Sequence, residues 1–130
     1  MFSFFARLWA LLFRLVPRAS PPKHPSGIKL LLVVEGPHDI EFLKRASAIL
    51  HGHDRHIPDL AALERQGRLV FIPFGGGDLW LWTTRLAGIG LQELHIYDRE
   101  QPPETEARQE AADVVNMRAN CRALLTKKRS

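Results

Sequence analysis

The segment Ile28-Lys29-Leu30-Leu31-Leu32-Val33-Val34-Glu35-Gly36-Pro37-His38-Asp39 constrains the chain more than any other. An unbroken aliphatic run that ends in an acid and a glycine predicts a strand buried on both faces. Such strands belong to parallel sheets covered by helices. Glu35 then stands at the strand's carboxyl end, where open α/β sheets place their ligands. Gly36 is expected to permit a tight turn, and Pro37 suits a first helical turn, where no backbone donor is needed.

A second acidic group follows a second apolar run. Leu94-His95-Ile96-Tyr97 predicts another short strand, closed by Asp98-Arg99-Glu100. Alternate residues of an extended chain point the same way, so Asp98 and Glu100 share a side and Arg99 faces away. Carboxylates gathered at the ends of two parallel strands repel one another. A hard divalent cation with oxygen ligands relieves that repulsion, with Mg²⁺ the first choice and Mn²⁺ the next.

The remaining elements alternate in type. A helix is predicted over about 38–51, with Ile40, Leu43 and Leu50 beside Phe42, Ala46 and Ile49 in one broad apolar stripe, ended by Gly52. A short helix is expected near 60–66 and a second strand at 69–72, closed by Pro73. Gly75-Gly76-Gly77-Asp78 opens a helix running to about Leu86, with Asp78 as its cap. A third strand at 93–97, a helix at about 104–118 and a fourth strand at 121–125 complete the order. Strands alternating with helices imply right-handed crossovers and an α/β fold: a small parallel sheet of about four strands flanked by helices.

Val34-Glu35-Gly36-Pro37-His38-Asp39, a glycine-rich turn and then Tyr97-Asp98-Arg99-Glu100 together resemble a TOPRIM domain. This is the metal-binding α/β module of topoisomerases, bacterial primases, recombination proteins and OLD-family nucleases. The short spacer from Glu35 to Asp39 and the Asp-Arg-acid wording look most like the OLD branch. The resemblance covers about residues 28–128. It departs from the family pattern at Glu100, where Asp is usual; the carboxylate is kept but its oxygen is displaced by one methylene. It implies Mg²⁺-dependent cleavage of nucleic-acid phosphodiesters, DNA ahead of RNA. Glu35 would be the catalytic residue, completing the metal shell or acting as general acid/base; Asp98 and Glu100 would hold the metal, and Asp39 would join it through water or orient Glu35. It also implies an ATPase partner, and OLD-like proteins carry further charged residues after the fourth strand, where this sequence stops. A degenerate or truncated module, or one acting beside another subunit, is therefore expected. The alternative is a noncatalytic module that kept the fold and binds metal, nucleic acid or protein.

Other signals are plainer. The triple glycine lacks the endings of a nucleotide fingerprint, so Gly75, Gly76 and Gly77 read as tight-turn residues, with phosphate contact as the second reading. His51, His53 and His56 beside Asp54 read as a solvated connection rather than a zinc site. Of Trp80 and Trp82, two apart on a helix, one is expected in the core and the other exposed. The single cysteine, Cys121, excludes an intrachain disulfide and fits a reducing, cytoplasmic setting as a buried thiol.

The net charge of +4 belongs to the ends. Residues 1–26 carry +4 and residues 127–129 carry +3, leaving −3 between them. The globular part therefore has no basic balance of its own to argue for nucleic acid. Residues 1–16 are almost wholly apolar, with Arg7 and Arg14 on one helical face. They are too short and interrupted for a confident span. They read as an interfacial helix on a membrane surface, a helix packed on a partner protein, or an extension from a misassigned start. Residues 17–27, rich in Pro and Ser, read as a linker.

Overall fold

The structure is a computed structural model that describes residues 27–75, 79–98 and 103–126. The readings placed on residues 1–26, on Gly76, Gly77 and Asp78, on Glu100 and on the basic end lie outside the described residues. Four strands alternate with helices: β1 (Leu30–Val34), α1 (Pro37–His53), α2 (Leu60–Arg65), β2 (Leu69–Pro73), α3 (Leu79–Arg85), β3 (Gln92–Tyr97), α4 (Glu104–Met117) and β4 (Cys121–Leu125). A 3-10 turn over Leu86–Ile89 extends α3.

The sheet order is β2-β1-β3-β4 and every pairing is parallel, so the expected α/β sheet is present. β1 and β3 hold the centre, with Leu30 opposite Leu69 on one side and Gln92 on the other. All five residues of β1 are buried, which is why its sequence shows no polar alternation. Leu30, Leu32 and Val34 face one layer with Leu94, Ile96 and Leu124, covered by Leu43 of α1 and Leu60 of α2. Leu31 and Val33 face the other layer with Tyr97 and Ala123, covered by Ala111, Ala112 and Val115 of α4. Helices thus cover both faces, and each fully buried leucine contributes about 1.5–3 kcal/mol.

Three local expectations change. α1 continues through Gly52 to His53 and is capped by Asp54, whose N–H bonds Leu50 O at 2.8 Å. Its buried stripe is narrower than the sequence suggests: Phe42 is 53% and Ile49 64% exposed. Ser47, wholly buried, occupies the stripe between Leu43 and Leu50. Its hydroxyl accepts the N–H of Leu60 at 2.9 Å and donates to Lys44 O at 3.1 Å, so the first turn of α2 docks on a polar spot. Finally, Gly36 is extended at φ −156°, with open space where a Cβ would stand, and does not require glycine. Gly75, in the turn after β2, is left-handed at φ +78°.

Trp80 is half exposed while Trp82 packs on the second core layer. Cys121 is buried, and burial pushes its thiol up, in keeping with a packing role. Among the described residues no helix is long and apolar enough to cross a membrane.

Candidate functional site

The carboxyl ends of the two central strands meet. Glu35 follows β1, Asp98 follows β3, and the backbone N–H of Asp98 donates to Glu35 Oε2 at 2.5 Å. The turn after β2 reaches the same corner, because the N–H of Gly75 donates to the carbonyl of Glu35 at 2.9 Å. Glu35, Asp98 and Gly75 are therefore neighbours, as their positions after parallel strands require. The Gly75 N–H is spent on the backbone and is not offered to a phosphate.

Asp39 has a different local task. Its carboxylate accepts the N–H of Gly36 at 3.0 Å, and its own N–H donates to Gly36 O at 3.1 Å. It thus closes the first turn of α1 and adds a negative charge where the helix dipole favours one. That pins the turn that carries Glu35.

The residue that sequence reasoning missed is Arg108 of α4. Its Nε donates to Glu35 Oε2 and its Nη2 to Glu35 Oε1, both at 2.9 Å. The two side chains are only 10% and 12% exposed. With the Asp98 N–H, Glu35 accepts three hydrogen bonds, which fix its rotamer beside a guanidinium. A signal for Arg108 exists in the sequence. Arg108, Ala111, Ala112 and Val115 follow one helical stripe, and all four are buried, so an arginine stands where an apolar residue would be expected.

A second constellation lies deeper, on the face of β3 that meets α3 and α4. Glu93, His95 and Tyr97 alternate along the strand and are essentially inaccessible. Glu93 Oε1 lies 2.7 Å from His95 Nε2, and His95 Nδ1 lies 2.7 Å from Tyr97 Oη. Arg118 donates from Nη1 to Glu93 Oε2 and from Nη2 to Glu93 Oε1, each at 2.8 Å. Burial pushes Glu93 up, but the hydrogen bonds from His95 and Arg118 and the Arg118 charge outweigh it and hold the carboxyl below its ordinary range. Burial pushes the Tyr97 phenol up to about 12, so it stays neutral, within 3.3 Å of Thr83 Oγ1. The signal was in the strand itself, whose second, fourth and sixth residues are all polar.

Could this corner hold a divalent cation? Mg²⁺ is satisfied by one or two carboxylates and several waters. Glu35 and Asp98 meet at one corner through the Asp98 backbone N–H, and both Glu35 oxygens are engaged by Arg108. Glu35 would join a cation only by parting from Arg108. Among the described residues no group of three His, Cys, Asp or Glu side chains is arranged as a preformed cage. His51, His53 and His56 make no such group either: His51 Nδ1 bonds Ile57 O at 2.7 Å, and His56 meets Asp54 in solvent.

No family model, no curated protein and no solved structure matches this chain.

Proposed function

We propose that this chain is a Mg²⁺- or Mn²⁺-dependent module for phosphodiester cleavage in nucleic acid, DNA in the first instance, of the TOPRIM kind. The observation that carries the reading is the Glu35–Asp98 corner at the carboxyl ends of adjacent central strands, held by the 2.5 Å bond between them. Asp98, with Glu100 from outside the described residues, would hold the cation. A bound cation supplies charge neutralisation at the scissile phosphate. Glu35 would complete the metal shell or hold or pass a proton at the reacting oxygen. Asp39 keeps the Glu35 turn in place through Gly36, and Arg108 sets the Glu35 rotamer. An ATPase on another chain and a cytoplasmic setting belong to the same reading.

One observation favours a second reading, a noncatalytic binding module. Arg108 engages both oxygens of Glu35, which is how a carboxylate is used as a structural anchor. Incubation of the purified protein with supercoiled plasmid and Mn²⁺ separates the two. The enzyme reading expects slow nicking that is lost in Glu35→Gln and Asp98→Asn and only reduced in Asp39→Asn. Equal nicking by identically prepared wild type and Glu35→Gln means a contaminant. Salt-dependent DNA binding without nicking by any of the proteins leaves the binding module.

A further inference from the structure

We propose that Asn116 is an edge guard: its side-chain amide stands where a neighbouring strand would bind on β4, and it keeps a second copy of this chain from pairing there. β4 is an outer strand of the sheet. Its register fixes which backbone groups face outward. Asn120 O accepts the N–H of Glu93 at 3.3 Å, and the N–H of Thr126 donates to Tyr97 O at 2.9 Å, so the even-numbered residues turn to β3. The N–H and C=O groups of Cys121, Ala123 and Leu125 then point away from the sheet. Such a row is a template for another strand unless something covers it.

The domain covers most of that row with its own groups. Asn116, on the last turn of α4, accepts the Ala123 N–H on Oδ1 at 2.9 Å and donates from Nδ2 to the Ala123 carbonyl at 3.3 Å. One residue of an antiparallel neighbour would make the same two bonds. The Cys121 N–H donates to Arg118 O at 3.3 Å, and Arg122 Nη1 donates to the Cys121 carbonyl at 2.7 Å. Asn120, left-handed at φ +62°, makes the short return that brings Ala123 beside the end of the helix. The excluded partner is a second copy because the row is self-complementary. Two β4 strands running antiparallel about Ala123 exchange both bonds between their Ala123 residues and set Cys121 opposite Leu125. The exposed Arg122 then meets Leu124 rather than another arginine, so no like charges stand directly opposite in such a pair.

Sedimentation velocity and amide exchange at Ala123, both on the full chain over a range of concentration, test the guard. In wild type the Ala123 N–H should exchange about tenfold slower than an open amide at every concentration, as one hydrogen bond implies. In Asn116→Ala it should exchange freely when dilute and become protected as concentration rises. The mass should shift with it, relative to wild type, from 14.8 kDa toward twice that value. Asn116→Gln, whose longer side chain overshoots Ala123, should show the same behaviour in weaker form, and it keeps the test open if the alanine variant does not fold. Adding Ala123→Pro to Asn116→Ala removes the N–H that a second copy would engage, and should abolish the concentration-dependent shift. Wild-type exchange at Ala123 as fast as an open amide overturns the proposal at its first step. A mass shift in Asn116→Ala without protection at Ala123 puts self-association elsewhere and also overturns it. So does an Asn116→Ala protein that stays monomeric with its Ala123 N–H open.

Discussion

Arg118→Met is expected to be among the costliest single changes in this domain. Arg118 caps the carboxyl end of α4 and reaches the buried Glu93 through two bonds of 2.8 Å. Its Nη2 also donates to the Thr83 carbonyl at 2.9 Å, so one side chain ties α4, α3 and β3 together. Methionine preserves much of the volume but leaves the Glu93 carboxylate, whose side chain is 1% exposed, without its arginine and bonded to His95. Removing one partner of a buried ion pair costs about 3–5 kcal/mol. The Arg118 side chain is 23% exposed, and solvent there weakens its share, so a loss of about 2–4 kcal/mol is expected. That is a large part of the roughly 5–15 kcal/mol that holds a domain of this size.

Urea denaturation at pH 7 measures the loss, and the pH dependence identifies its source. Glu93 is held below its ordinary range in the folded protein, with His95 and Arg118 overcoming burial. Its contribution is therefore fully present above the unfolded value of about 4.3 and fades as pH falls through the lower folded value. The gap between wild type and Arg118→Met should narrow in that acid window. In a Glu93→Gln background the same substitution should cost much less, the difference being the coupling of the pair. A loss below about 0.5 kcal/mol at pH 7, which is typical of surface changes, would refute the assignment of a buried anchor. So would a gap that stays constant into acid.

Two further outcomes test the local packing. Asp39→Ala removes the acceptor for the Gly36 N–H and the first-turn charge of α1, and should lower stability by about 1 kcal/mol by thermal melting. Ser47→Ala leaves the buried Leu60 N–H without its 2.9 Å acceptor, and should cost about 1–3 kcal/mol, with faster amide exchange at Leu60 as the specific sign. An unchanged exchange rate would mean that the N–H finds water or another acceptor.

The parts of this fold legible in the sequence are those where one residue's neighbours along the chain decide its surroundings. The run Leu30–Val34 has to be covered on both faces, and Glu35 and Asp98 have to sit at one end of a parallel sheet. What the sequence hides depends on how a helix is rotated against the sheet. On α1, Phe42 and Ile49 look like stripe residues, but the face that meets the sheet carries Ser47, because Leu60 brings an N–H that needs an acceptor there. On α4, nothing local says that Arg108 will reach across to the end of β1. The packing of the helix that carries Ala111, Ala112 and Val115 against β3 and β4 turns it that way.

Two glutamates in this domain are bound in the same way but stand in different places. Glu35 and Glu93 are each gripped by an arginine fork, Arg108 near the start of α4 and Arg118 just past its end. At about 1.5 Å per residue those two arginines stand roughly 15 Å apart along the helix, enough to strap the length of the sheet. At the inner end Glu93 is also bonded by His95 and lies shut beneath α3 and α4, so opening that pair means opening the core. At the carboxyl edge Glu35 has the Asp98 N–H as its third partner and lies in the corner where strands end and ligands approach. Among the described residues, then, Glu35 is the arginine-bound glutamate at the carboxyl edge of the sheet, and Glu93 is the one sealed in the core.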